Sequence, residues 1–286
     1  MTAMGNLSVS LSELGRHDEA LILQQEALEK SCHILGNNHP HTLIAMNNLA
    51  TIFDDLGRYD KALTLKQEVL EKNRCFFGQE HPLTLTAMGN LAYTLGMFGR
   101  RDEALILQQE VLEKRRRNLG EDHPDTLSAM HHLARTFGEL EQHNKARLLY
   151  EEVLEKTRRI LGDHHPHTLL AMNNLALTLG VLGQHNEALT LQQEAAKVNL
   201  RILGEDHPDT LRAMNNLACT LFNLCRHNEA QTILQEVLKK SRRILGDDHP
   251  RTLETMESLI VILLKSGKFF KAWALLLNLR KLQKKR

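Results

Sequence analysis

The sequence predicts an all-α chain, a right-handed α-solenoid (superhelix) of seven helix-turn-helix units. Three observations carry this. All six prolines follow a His and recur 42 residues apart, at Pro40, Pro82, Pro124, Pro166, Pro208 and Pro250. Glycines (Gly36, Gly78, Gly120, Gly162, Gly204, Gly246) and threonines (Thr42 through Thr252) keep the same step. Three further positions hold one residue type in all seven units: Met4 through Met256, Leu7 through Leu259 and Ala20 through Ala272. A fixed period of this length is the signature of stacked repeats. It divides the 286 residues into units at 1–38, 39–80, 81–122, 123–164, 165–206, 207–248 and 249–286, read as a single solenoid domain. Positions below are numbered within a unit by subtracting multiples of 42.

The first helix of each unit opens at His-Pro. Proline suits the first helical position, and the residue before it is held extended. Apolar residues at positions 1, 4, 7, 8, 11 and 14 then follow helical spacing. The turn at Gly15-Arg16-His17-Asp18 supplies a C-cap and then an N-cap. The second helix, positions 18 to 35, carries its own apolar set at 20, 21, 23, 27, 28, 34 and 35, and would be ~27 Å long. Gly36 and its equivalents end it, with basic residues in the last turn where the helix dipole favours cations. One hairpin cannot bury both stripes, whereas stacked hairpins can. Ala20 and Ala at position 8 in five units (Ala50, Ala92, Ala134, Ala176, Ala218) permit close helix approach. The Met column reads as core packing, since Met fills irregular gaps.

Composition sets the outer limits. The 36 Lys and Arg nearly balance 35 Asp and Glu, which excludes a strongly basic nucleic-acid binder. Apolar residues make up 42% and aromatics only 4%, so the core is built from Leu, Ala and Met. No run of 18 apolar residues exists, so no membrane span and no membrane partner is expected. The start lacks a signal peptide. Four single cysteines, Cys32, Cys75, Cys219 and Cys225, suit a reducing, cytoplasmic compartment. The first unit opens at its position 1 with no upstream helix to cover its stripe, which points to a longer parent chain.

The unit resembles the tetratricopeptide repeat. Leu7, Gly15, Asp18, Ala20, Leu21 and Ala27 match that pattern in the first unit. The family's aromatic at position 4 is Met here, and the period is 42 rather than 34. The longer period resembles the repeats of kinesin light chains and those of some NTPase-containing signalling receptors, and HPDTLRAMNNLACTL (His207 to Leu221) has the kinesin-light-chain look. The resemblance implies protein–protein binding through a concave face lined by positions 2, 5, 6, 9, 12 and 13 of the first helices.

That face carries a ladder of amides. Position 6 is Asn6, Asn48, Asn90, Asn174 and Asn216, and position 5 is Asn47, Asn173 and Asn215. An amide both donates and accepts, so the ladder can clamp the backbone of an extended peptide. It can equally tie one hairpin to the next. The fourth unit replaces the ladder with His131 and His132 and adds Arg135, and position 2 of the sixth unit is Arg212. These make a basic middle suited to acidic segments, with acidic candidates Asp54, Asp55, Glu254 and Glu257 toward the ends.

The remaining signals read as structure. The six His-Pro histidines act as caps. His164, His165 and His167 lack the partners of a zinc site. The arginines at 115–117, 158–159 and 242–243 sit at second-helix ends. No P-loop, nucleophile elbow or H-E-x-x-H motif occurs. No catalytic residue, metal or cofactor is expected. The divergent last unit, with Phe269, Phe270, Trp273, Leu276 and Leu277, is a candidate contact for a partner or a second copy. The reading is a scaffold or adaptor that binds peptide segments of proteins. Its alternatives are a ligand-sensing repeat module of a larger signalling NTPase and a self-associating array.

Overall fold

The computed structural model describes residues 2–283. Among them there are fourteen α-helices and no strand. They form two compact units, residues 1–146 and 147–286. The first holds α1 (Thr2–Glu13), α2 (His17–Leu35), α3 (Pro40–Asp55), α4 (Tyr59–Phe77), α5 (Pro82–Met97), α6 (Arg101–Leu119) and α7 (Pro124–Glu139). The boundary falls inside α8 (His143–Leu161). The second unit continues with α9 (Pro166–Val181), α10 (His185–Leu203), α11 (Pro208–Asn223), α12 (His227–Leu245), α13 (Pro250–Lys265) and α14 (Phe269–Gln283). Within each unit every helix packs on the next in sequence: α1 through α7 in the first, α9 through α14 in the second.

The invariant connector residues act on one another. At all six His-Pro steps the His is the N-cap, and its Nδ1 accepts the N–H two residues on, as from His41 to His39 at 3.2 Å and Asp125 to His123 at 3.1 Å. The buried threonine two residues after each proline donates its hydroxyl to the carbonyl of the preceding C-cap glycine. Thr42 does so to Gly36 at 2.8 Å and Thr84 to Gly78 at 2.7 Å, and Thr126, Thr168 and Thr252 repeat it. Thr210 is the exception, its hydroxyl being buried without a partner. Glycine, cap and threonine therefore form one fastening, which explains why all three share a period.

The core is wider than the apolar pattern alone predicts. Positions 1, 4, 7, 8 and 11 are buried in the interior repeats, except for the half-buried Leu169 and Met214, and position 20 is buried in every repeat. So are position 3 (Ala45, Ala87, Ala129, Ala171) and position 10 (Ile52, Thr94, Thr136, Thr220, Ile262). Small residues at 3 let the helices approach closely, and at position 10 the hydroxyls of Thr94 and Thr178 lie 3.3 and 2.9 Å from the carbonyls of Asn90 and Asn174, four residues back. Leu7, in α1, is exposed.

The start of the second helix also departs from expectation. It begins at position 17, and its N-cap residue is Arg16, Arg58, Arg100, Gln184 or Arg226, none with a side-chain cap bond. Asp18 lies in the first turn instead. Arg16, Arg100 and Arg226 turn outward to the glutamate three residues on, as in Arg16 to Glu19 at 2.6 and 2.7 Å. The turn glycine is replaced twice, by Glu141 (φ 60°) and Cys225 (φ 61°), both held in the left-handed region.

Candidate site on the first-helix face

Clefts lie between some pairs of neighbouring first helices and the second helix between them. Four are well formed. One lies among α1, α2 and α3, lined by Asn6, Gln24, Ser31 and Asn48. One lies among α3, α4 and α5, lined by Ile44, Asn47, Asn73 and Asn90. One lies among α9, α10 and α11, lined by Leu170, Asn173, Asn199, Ile202 and Arg212. The fourth lies among α11, α12 and α13, lined by Arg212, Asn215, Arg251 and Glu254. The recurrence follows from the repeat: similar addresses meet at these four junctions.

The amide ladder ties neighbouring hairpins together. Asn90 Nδ2 donates to Asn47 Oδ1 at 2.9 Å, and Asn216 Nδ2 donates to Asn173 Oδ1 at 2.6 Å. Position 6 of one repeat is thus tied to position 5 of the repeat before. The two partners are 43 residues apart, one period plus one, which was the signal in the sequence for this pairing. Each tie leaves the donors of the position-5 amide and the carbonyl of the position-6 amide unused. All four side chains remain half-buried at the cleft surface. Asn215 is only 6% exposed, and its Oδ1 has no partner. Asn6 is exposed, while Asn48 and Asn174 are half-buried.

Two basic residues of the first unit approach one ring. The Arg135 guanidinium lies 4.7 Å from the Tyr93 ring centroid, and its Nε is 3.5 Å from Glu139. Lys66 approaches the same ring at 5.9 Å. Lys66 itself is buried, its side chain 2% exposed, in an ion pair with Asp54, which is 5% exposed. Thr94 Oγ1 joins both, at 2.7 Å from Lys66 and 2.8 Å from Asp54. Burial pulls the Lys66 ammonium below its ordinary pKa, partly offset by Asp54. Asp54 is therefore not a groove acid, whereas Asp55 is exposed and accepts from Ser12 at 2.6 Å.

His131 and His132 meet edge to face at 5.8 Å. His132 keeps an exposed edge, yet the protein crowding it, and then the charges of Arg135 and Arg115, push its pKa below 6.5. In the second unit Arg212 pairs with Asp209 at 3.3 Å. Arg135 and Arg212 thus sit in separate units, each with its own acidic neighbour. The Arg clusters at second-helix ends are likewise paired: Arg116 with Glu121 at 3.1 Å, Arg158 with Asp163 at 3.2 Å, Arg242 with Asp247 at 3.0 Å. Among the described residues no group of three His, Cys, Asp or Glu is placed to hold a metal, and no helix is long and apolar enough to cross a membrane. All four cysteines are free.

The tetratricopeptide repeat family profile matches residues 1–74, 83–159, 149–198 and 168–239. No curated protein matches the chain. Among solved structures, a putative kinesin light chain from Podospora anserina with nearly identical TPR-like repeats is similar at 27% identity. That match has a TM-score of 0.63 and covers 72% of this chain and 97% of the other. BtubC (BKLC) from P. vanneervenii shares the fold at 18% identity and a TM-score of 0.67, over 80% of this chain and 92% of its own. A signal-transduction ATPase with a tetratricopeptide repeat sensor from Pyrococcus horikoshii shares it at 16% identity and 0.66, over 99% of this chain and 41% of that one.

Proposed function

Because this chain belongs to the tetratricopeptide repeat family, we propose that it is a non-enzymatic adaptor that holds extended segments of partner proteins along its first-helix face. The observation that carries this is the series of clefts walled by amides with unused hydrogen-bonding groups. The buried, unpaired Oδ1 of Asn215 is the strongest instance, since a buried acceptor without a partner costs about 1–3 kcal/mol and a peptide N–H would satisfy it. The ties Asn90–Asn47 and Asn216–Asn173 support the role by fixing the amides in advance, which lowers the ordering cost of binding. Apolar side chains such as Ile44 and Leu177 stand exposed beside them, suited to alternate side chains of a strand-like peptide.

The partner segment is acidic. Arg135 stacked on Tyr93, with His132 beside it, presents a positive, pre-positioned surface in the first unit, and Arg212 presents another in the second. The seven units act as one binding domain, and the four single cysteines favour a cytoplasmic setting. A peptide-library selection tests the reading. The native chain should enrich acidic peptides. A variant with His131, Arg135 and Arg212 all changed to Glu should lose them by about tenfold or more, equivalent to about 1.4 kcal/mol. Asn47→Ala with Asn90→Ala should weaken all peptides regardless of charge. Equal enrichment by all three proteins refutes the reading.

A further inference from the structure

The apolar surface of α14 does not fit the repeat that produced it. Position 18 is Asp18, Asp60, Asp102, Asn186 and Asn228 in five other units, and position 25 is Gln25, Gln67, Gln109, Gln193 and Gln235. All ten are exposed. In α14 the same addresses are Phe270, 91% exposed, and Leu277, 46% exposed. Phe269 and Trp273 join them, the latter 62% exposed. At 100° per residue the four fall within an arc of roughly 100°. Ala272 and Leu279, on the opposite side, are buried against the hairpin. Positions 18 and 25 stay exposed in repeats that have a following hairpin, so stacking does not account for their change, whereas position 21, Trp273 here, is the buried Leu63 in the second repeat.

Charge changes with them. Residues 265–286 contain eight Lys and Arg and no Asp or Glu. The remaining 28 bases face 35 acids, so the chain's net +1 is the sum of +8 here and −7 elsewhere. Lys265, Lys271, Arg280 and Lys281 belong to no ion pair among the described residues, and Lys268 is engaged only by Gln231 at 2.5 Å. Glu257 on α13 accepts from Gln283 at 3.4 Å.

We propose that α14 docks the protein onto an anionic lipid surface, with Phe269, Phe270, Trp273 and Leu277 entering the acyl boundary and the surrounding bases meeting the headgroups. Aromatic side chains beside Lys and Arg on one helix face are what an interfacial helix requires, and anionic leaflets attract such clusters. Absence of a spanning segment is no obstacle, because a helix lying on the surface needs none. A helix already half-buried against its own hairpin cannot be enclosed by a protein groove, but it can lie on a plane. A second copy bringing the same face would set eight positive charges against eight.

Trp273 is the only tryptophan, so its emission reports on this face alone. Phosphatidylcholine vesicles carrying phosphatidylserine should shift it to the blue, and vesicles of phosphatidylcholine alone should not. Molar salt should reverse the shift, since it cuts the screening length to about 3 Å. Phe270→Asp with Leu277→Gln restores residue types that other units carry at those addresses. It should keep the helical circular dichroism and weaken vesicle partition by tenfold or more. Should that variant unfold, Lys271→Glu with Lys281→Glu tests the same surface through charge. The proposal is overturned by no shift on anionic vesicles, or by equal partition of the variants. It is also overturned by a shift that follows protein concentration without lipid, or one that appears only with an acidic helix-binding protein such as calmodulin.

Discussion

The buried pair of Lys66 and Asp54 gives the sharpest test of the packing argument. Lys66 stands at position 24, where Gln24, Gln108 and Gln192 occur in other units, and Asp54 at position 12, where Gly96, Gly138 and Gly180 occur. Both side chains are at most 5% exposed. Lys66→Gln leaves the Asp54 carboxylate buried with Thr94 as its remaining partner. Removing one member of such a pair costs about 3–5 kcal/mol, mostly because a charge is stranded. Asp54→Ala strands the ammonium instead. The double variant strands neither and returns both addresses to small or amide residues. It should lie within about 1 kcal/mol of the native chain, giving a coupling energy of about 3 kcal/mol or more. A repeat array need not unfold in one step, so hydrogen exchange of α4 and α5 amides is the better measure beside urea denaturation. If the single costs simply add in the double variant, within about 0.5 kcal/mol, the two charges are not coupled and the reasoning fails.

The same pair has a pH signature. The folded state lowers the Lys66 pKa from its ordinary value of 10.5, burial being the largest cause. Between the lowered value and 10.5 the unfolded chain binds more protons than the folded one, so stability rises with pH across that window. Below it the penalty of burying the ammonium is fully present. Lys66→Gln should abolish this rise, and a stability–pH slope that is unchanged by the substitution contradicts the assignment.

Three further outcomes are expected. Glu141→Gly and Cys225→Gly each release a side chain from φ near +60° and should stabilise by about 1 kcal/mol, whereas Gly99→Ala, at φ 86°, should destabilise; urea midpoints decide. His123→Ala removes an N-cap acceptor and should cost about 1 kcal/mol, and His123→Asn should recover most of it, because Asn caps through its own oxygen. His132 should titrate below 6.5 by NMR, and Arg135→Gln should move it upward. With the folded pKa depressed, the stability His132 contributes is present above about 6.5 and is lost as pH falls toward the folded value.

The repeat, the helices and the His-Pro caps were legible in the sequence because each depends on residues close along the chain. His39 caps through an N–H two residues away, and Thr42 reaches Gly36 within the same connector. What the sequence withheld depends on register between helices. Asp54 and Lys66 are twelve residues apart on different helices, and Thr94 lies a further 28 beyond Lys66. A reading by address placed Asp54 on the open face, since position 12 follows the outward set, and only the packing of α3, α4 and α5 turns it inward. Arg135 was expected to be an open groove charge. It is stacked instead, because position 9 of the unit before is Tyr93 and only there does a ring meet it.

In an array whose units repeat the same contacts, the shared residues explain the fold and the departures from them carry the selectivity. Two groups of departures stand on different rows. Tyr93, His132 and Arg135 change the first helices α5 and α7, though none of the three lines one of the four clefts. Phe270 and Leu277 change the outward row of a second helix, which lines none of them. A protein that only needed to stack would keep Asp or Asn at position 18 and Gln at position 25. The two rows should therefore be separable by substitution. Arg135→Glu should lose acidic peptides and keep its affinity for anionic vesicles, and Phe270→Asp should do the reverse. Loss of both by either change would mean that one global property, such as net charge or folding, underlies the two readings, and neither surface could then be assigned its own partner.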